Sequence, residues 1–170
     1  NGPVAQSGLT QLSLVPAIAT VDVGKNILVN INVAAVTNLY AYQFQVKYDA
    51  TRVNATGAFV NSFVDTSQNA FSPGGWKADC SGGTCSFAVT KLNPAPVVSG
   101  SGTLAQITFT GVNPGTFPLT FRQDLLVNRN AFPVAHSTTA GTLTVRNPVT
   151  ATITTVASSV NPSLLNQSVK

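Results

Sequence analysis

Apolar and polar residues alternate with a period of two along much of this chain, and no window shows the 3.6-residue period of an amphipathic helix. Every second residue from Ile27 to Val33 is Ile or Val, directly after a turn signal at 24–26. Every second residue from Tyr40 to Tyr48 is aromatic or β-branched, and the residues between them are small or polar. Each run predicts a strand with one buried and one exposed face.

Shorter runs of this kind predict strands at 12–15, 53–60, 76–80, 85–91, 104–112, 117–121 and 142–146. Turn-forming residues separate them, as at Asn113-Pro114-Gly115. Many short strands joined by turns predict an all-β fold, an antiparallel β-sandwich with jelly-roll topology. The patterned region ends near Arg146, so we expect one domain over residues 1–146 and a linker over 147–170.

Two cysteines, Cys80 and Cys85, flank the turn sequence Ser-Gly-Gly-Thr. A hairpin at this turn places the two thiols opposite each other, where a disulfide can form. The alternatives are half of a metal site or a redox pair, but the sequence holds no second Cys/His pair and the spacing is not C-x-x-C. We therefore expect a structural disulfide and an oxidising compartment.

The same hairpin register places Trp76 on one face with Ala78, Phe87 and Val89. This favours a core position for the indole ring. The alternative is an exposed platform on which a sugar ring stacks, as in carbohydrate-binding modules.

The chain is rich in hydrophobic residues, at 44%, and poor in charged ones, at 8%. It can build a sizeable core, and its surface must consist mainly of Thr, Ser, Asn, Gln and Gly, which is typical of secreted or cell-surface β-domains. The nine basic residues form no cluster, so the net charge of +4 does not indicate nucleic-acid binding. No run approaches the ~20 apolar residues of a membrane helix, so we expect no membrane insertion.

Candidate catalytic groups are few. The acidic residues are Asp22, Asp49, Asp65, Asp79 and Asp124. Most lie in turn-like contexts, where an Asp side chain caps the backbone. The single histidine, His136, has no Gly-x-Ser-x-Gly motif to accompany it, and no Asp-rich calcium loop is present. We expect no catalytic residue, no metal site and no cofactor.

Segments 24–33 with 42–49, 102–109 and 140–145 together resemble a cohesin domain, the receptor module of cellulosome scaffoldins and of many non-cellulosomal surface proteins. The resemblance covers about residues 9–146. It implies a cohesin-like sandwich that binds a dockerin-type protein, whose own loops would carry calcium. The chain departs from the family pattern at Ala50, where a proline is usual, and in its cysteine hairpin. The tail at 154–163 is similar to the opening of a bacterial Ig-like repeat, as though a following repeat had been cut short.

The resemblance also implies a binding surface, because in cohesins the positions just before the Phe of the third strand help to select the dockerin. The expected partner-binding residues are Ala41, Gln43, Gln45 and Lys47 on the exposed face of that strand, with Ser86, Ala88 and Thr90 as neighbours. Many cohesins carry polar or acidic residues at the positions of Ala41 and Gln43, and the acidic character is absent here. The alternatives are a carbohydrate-binding or adhesive module that binds polysaccharide, and a structural spacer.

Overall fold

The computed structural model describes residues 9–64, 70–72, 78–149 and 153–155, and every regular element within them is a β-strand. The strands are β1 (Thr10–Val15), β2 (Ile18–Asp22), β3 (Asn26–Lys47), β4 (Val53–Val60), β5 (Ala70–Phe71), β6 (Asp79–Ser81), β7 (Thr84–Lys91), β8 (Val98–Gly111), β9 (Gly115–Asn128), β10 (His136–Thr139) and β11 (Gly141–Arg146). None of the described residues belongs to a helix that could span a membrane.

Strand β3 is 22 residues long and belongs to both layers of the sandwich. Its first half pairs with β1 and β8, and its second half pairs with β7 and β9. Layer one therefore follows β10–β1–β3–β8–β4. Layer two follows β7–β3–β9–β11–β2, with the short β5 and β6 beside β7. The predicted all-β sandwich is confirmed, and the two strands predicted at 27–33 and 40–48 form one bent strand.

The terminal strands add a feature that the alternation of residues does not show. Strand β1 pairs with β10 in parallel, and β2 pairs with β11 in parallel, whereas the other pairings between named strands are antiparallel. A parallel pair requires strands that are distant in sequence, so local turn signals carry no information about it.

The bend in β3 lies at Ala35 and Asn38, whose backbones adopt positive φ angles of 51° and 57°. The register with β8 shifts at this point. The backbone N–H of Ala35 donates to Ser101 Oγ at 3.0 Å, and that of Asn38 donates to Ser99 Oγ at 2.9 Å. The two hydroxyls of β8 thus replace carbonyl acceptors that a regular ladder would supply.

A bulge also explains why the predicted core position of Tyr40 is wrong. Leu39 pairs with Asn128 and Ala41 pairs with Val127, so Tyr40 is the extra residue on β3. Leu39 is fully buried in its place, while Tyr40 is half-buried, with the Arg129 guanidinium 5.4 Å from the centre of its ring. The inward alternation resumes at Tyr42 and continues to Tyr48, as predicted.

The core centres on Phe44, which is 1% exposed. Its ring lies 5.4 Å from the ring of Tyr42, 5.2 Å from that of Phe87 and 5.9 Å from that of Phe121. The Tyr42 hydroxyl donates to the backbone carbonyl of Leu104 in layer one at 2.9 Å. The four rings belong to layer two, and the Tyr42 hydrogen bond links this aromatic cluster to layer one.

The predicted disulfide between Cys80 and Cys85 is present and joins β6 to β7 in direct register. Beside it, the backbone N–H of Tyr48 donates to the carbonyl of Gly83 at 2.8 Å, which ties the hairpin turn to the end of β3. Trp76 lies outside the described residues, so its predicted core position stays a prediction. The same holds for most of the tail, where residues 147–149 and 153–155 form no strand.

Replacing both Cys80 and Cys85 by Ala is expected to lower the free energy of unfolding by about 2 kcal/mol, because the bridge closes only a short loop in the unfolded chain. Urea unfolding of the variant beside the oxidised wild type measures the loss. Reduced wild-type protein is the control, since it breaks the same bond without changing a side chain, and it should show a similar loss. A variant as stable as the oxidised protein would contradict the expectation.

Candidate functional site

The outward surface of layer two is formed by the second half of β3 between β7 and β9, and we call it the β3 face. Directly paired residues of neighbouring strands point to the same side of a sheet, so the register defines rows across this face. The rows are Thr90–Ala41–Val127, Ala88–Gln43–Leu125, Ser86–Gln45–Arg122 and Thr84–Lys47–Thr120. Strands β5 and β6 extend the rows, because Phe71 pairs with Thr90, Asp79 with Ser86, and Ser81 with Thr84.

All the residues predicted to bind the partner lie together on the β3 face. Gln43, Lys47 and Ser86 are exposed, and Ala41, Gln45, Ala88 and Thr90 are half-buried. The residues between them on β3 point inward and are buried, as the alternation predicts. The centre of the face therefore consists of small side chains and amides.

One end of the β3 face is apolar, and the sequence prediction included Ala41 there but not its exposed Phe and Leu. Phe71 is 53% exposed and Leu125 is 36% exposed. Together with Ala41 and Val127 they line an open depression. An exposed apolar depression in an otherwise polar surface is a feature of binding sites.

A bulge in β9 explains why the sequence pattern did not predict that Leu125 and Val127 lie on the β3 face. Gln45 pairs with Arg122 but Gln43 pairs with Leu125, so β9 holds one extra residue, and Gln123 adopts a φ of 50°. The buried positions change from odd numbers before the bulge to even numbers after it. The sequence alternation consequently ends at residue 121, whereas β9 continues to Asn128. The apolar run at 125–127 was the one local indication in the sequence that the strand continues beyond residue 121.

The opposite end of the β3 face carries Lys47 and Arg122 on adjacent strands and adjacent rows. Both line a second depression, which also contains Asp49. The Asp49 carboxylate accepts hydrogen bonds from the backbone N–H of Thr51 at 2.9 Å and from its hydroxyl at 2.6 Å, and it lies 3.3 Å from the Arg52 guanidinium. The bonds from Thr51 first, and the charge of Arg52 after them, lower the pKa of Asp49. The negative charge of Asp49 is therefore balanced by Arg52 and hydrogen-bonded by Thr51, within the same turn.

Two further acids, Asp22 and Asp124, each contact one basic side chain, whereas Asp79 at the edge of the β3 face contacts none among the described residues. Asp22 contacts Arg146 Nε at 2.6 Å, and Asp124 contacts His136 Nε2 at 3.0 Å. The second ring nitrogen of His136 lies 2.8 Å from the carbonyl of Val134, so the imidazole links β9 to β10. These contacts give His136 a structural role, and neither ring nitrogen is hydrogen-bonded to a serine, threonine or cysteine side chain of the described residues. Asp65 lies outside the described residues.

A family model described as the cohesin domain matches residues 13–145. The chain belongs to the cohesin family. The search of curated protein sequences found no match.

Solved structures resemble this cohesin in fold. A non-cellulosomal cohesin from the hyperthermophilic archaeon Archaeoglobus fulgidus has a TM-score of 0.67 at 16% identity, over 82% of this chain and 93% of that chain. The seventh ScaB type I cohesin from Pseudobacteroides cellulosolvens has a TM-score of 0.67 at 16% identity, over 87% and 99%. A type I cohesin–dockerin complex from Clostridium thermocellum, Coh-OlpC-Doc435, has a TM-score of 0.66 at 10% identity, over 82% and 95%. At such low identity these likenesses establish the fold.

Proposed function

We propose that this cohesin is a non-catalytic module that binds a dockerin-type protein through the β3 face. The observation that carries the proposal is the arrangement of that face. It has the Gln43 and Gln45 amides at its centre, an apolar depression at one end and, at the other, two cations with no ion-pair partner among the described residues. Family membership supports a protein partner. Two of the structurally similar cohesins, Coh-OlpC and Coh-OlpA, are described in complex with dockerins.

The dimensions of the β3 face suit a helical partner. Four strand positions and the six residue spacings from Ala41 to Lys47 give a surface of roughly 14 Å by 20 Å. A helix with its side chains is about 10 Å across, so one helix can lie over the rows and touch both ends. Contacts outside the rows would enlarge the interface toward the ~800 Å² that each partner buries in a standard complex.

The chemistry of the face divides into two parts. The Gln43 and Gln45 amides each offer donors and an acceptor, so they can bind backbone or side-chain groups of either kind. Phe71 and Leu125 offer apolar surface, which gives most of the affinity where a partner side chain fills the depression. The amides then set the register of the partner on the face, and the apolar end supplies most of the affinity.

We further propose that this cohesin works outside the cell, as a secreted or surface module whose domain ends near Arg146. The disulfide and the scarcity of charge support an oxidising, extracellular setting. The family match ends at residue 145, which agrees with a linker from residue 147 onward.

The carbohydrate alternative requires a row of exposed rings. The exposed aromatic residues of the described chain are Phe59, Phe71 and Phe132, and they lie on three different segments. No described observation therefore favours polysaccharide over a protein partner.

Changing Gln43 and Gln45 together to Glu is expected to weaken partner binding about tenfold, because two charges enter a contact that excludes water. Isothermal titration against a panel of calcium-loaded dockerin modules measures the effect. The matched control changes Asn30 to Asp and Gln106 to Glu, a paired set of amides on the outward side of layer one, and should bind like the wild type.

Two outcomes would count against the proposal, and they differ in what they overturn. Failure of the wild type to bind any dockerin contradicts the function. Binding that is equally strong in the Gln43/Gln45 variant contradicts the site, provided that circular dichroism shows both proteins folded.

A further inference from the structure

The β3 face is polarised along its length. Its first row holds Phe71, Ala41 and Val127 beside Thr90, and its last two rows carry Arg122 and Lys47. The six residue spacings from Ala41 to Lys47 separate the two ends by roughly 20 Å. A partner that covers the face therefore meets different chemistry at its two ends.

The two cations lack a counter-charge within the described residues. Neither side chain makes a hydrogen bond or ion pair there, and the neighbouring Asp49 is held by Thr51 and Arg52. Asp124, two residues beyond Arg122, is paired with His136.

Asp79 is the remaining acid on this face, and it lies at the far edge. Its row runs through Ser86 and Gln45 to Arg122, so three strand spacings, about 14 Å, separate it from Arg122. This distance exceeds the screening length of about 8 Å at physiological ionic strength. The corner that contains Lys47 and Arg122 consequently has a net positive charge.

We infer that the partner lies on the β3 face with one or more carboxylates opposite Lys47 and Arg122 and an aliphatic or aromatic side chain opposite Phe71 and Leu125. This inference rests on the proposed function and assigns the partner's chemistry. Carboxylates at the cationic corner would form ion pairs with the Lys47 ammonium and the Arg122 guanidinium. Without them, a protein contact would remove water from both charges and give nothing in return.

The same cationic corner disfavours partners that carry basic residues at the matching positions. A dockerin with Lys or Arg at the matching positions would bring like charges together, which is costly once water is excluded. The polarity also fixes direction, because turning the partner end for end would place its carboxylates over the apolar depression. The charges of the β3 face thus select both the partner and its orientation.

The test uses single charge reversals of matched size. Lys47→Glu and Arg122→Glu are compared with Lys25→Glu, which changes an exposed cation without a side-chain partner in the β2–β3 turn. The probes are those dockerin modules of the panel that bind the wild type, measured in calcium buffer at about 0.05 M and about 0.5 M NaCl. Arg122→Gln is included because it removes the positive charge at this exposed position without introducing a negative one.

We expect each reversal at Lys47 or Arg122 to weaken binding roughly tenfold at low salt and to reduce the salt dependence of the affinity, with a smaller loss for Arg122→Gln. Lys25→Glu should bind like the wild type. Unchanged or tighter binding by Lys47→Glu and Arg122→Glu, beside a wild type that does bind, overturns this inference and leaves the proposed function standing. Absence of wild-type binding to the whole panel overturns the function itself.

Discussion

Phe44→Ala should lower the free energy of unfolding by about 3–5 kcal/mol, the largest stability effect that we expect from a single substitution in this domain. Phe44 is 1% exposed, and its ring contacts the rings of Tyr42, Phe87 and Phe121. Removing it deletes buried apolar surface and leaves a cavity that strands fixed by two ladders cannot close. Urea unfolding followed by circular dichroism gives the value.

Phe71→Ala is the matched control, because it deletes the same atoms from a side chain that is 53% exposed. Its expected loss is below about 1 kcal/mol. If Phe44→Ala does not fold, Phe44→Leu keeps most of the volume and should lose about 1–2 kcal/mol. Equal losses for Phe44→Ala and Phe71→Ala would show that the core does not centre on Phe44.

Leu125→Asp should weaken partner binding at least about 100-fold, the level of a binding hot spot. The substitution removes apolar surface from the depression that also contains Phe71 and Val127, and it buries an unpaired carboxylate under the partner. The dissociation constant for a dockerin that binds the wild type, measured by surface plasmon resonance, checks the expectation.

Leu28→Asp is the control for Leu125→Asp. Leu28 is 47% exposed on the outward side of layer one, where it pairs with Thr108, so the same chemical change occurs away from the β3 face. We expect its dissociation constant to stay within about twofold of the wild type, since exposed substitutions outside a contact have little effect. Loss of affinity in both variants would point to a shared effect on folding, and retention in both would move the binding surface elsewhere.

The inward or outward direction of a side chain could be predicted wherever it depends only on the alternation of apolar and polar residues along one strand. Alternation placed Gln43 and Gln45 outward and Phe44 inward, and the turn between Cys80 and Cys85 predicted their disulfide, because each depends on neighbours along the chain. These local rules account for the outward direction of the predicted residues of the β3 face, and the family resemblance supplied their choice as a binding surface.

Predictions from the alternation of residues were wrong or incomplete where a segment distant in sequence determines the backbone conformation. The bend at Ala35 is supported by Ser101, 66 residues away, and the phase shift at Tyr40 follows from pairing with β9. The bulge at Gln123 likewise hid Leu125 and Val127 from the prediction. Pairings between strands so far apart in sequence cannot be recognised in a short window of sequence. Here they determine the apolar end of the candidate site.

The parallel pairing of the terminal strands has a mechanical consequence. Thr10 lies beside His136, and Asp22 lies beside Arg146, so the chain enters the ladder at one end and leaves it at the other. A force that pulls the two ends of this domain apart would slide β1 and β2 along β10 and β11, and the load would fall on all the hydrogen bonds of both ladders together. Peeling these strands apart would break the bonds one after another under a smaller force. The order of the strands therefore suits a domain that holds a partner while its own chain is under tension.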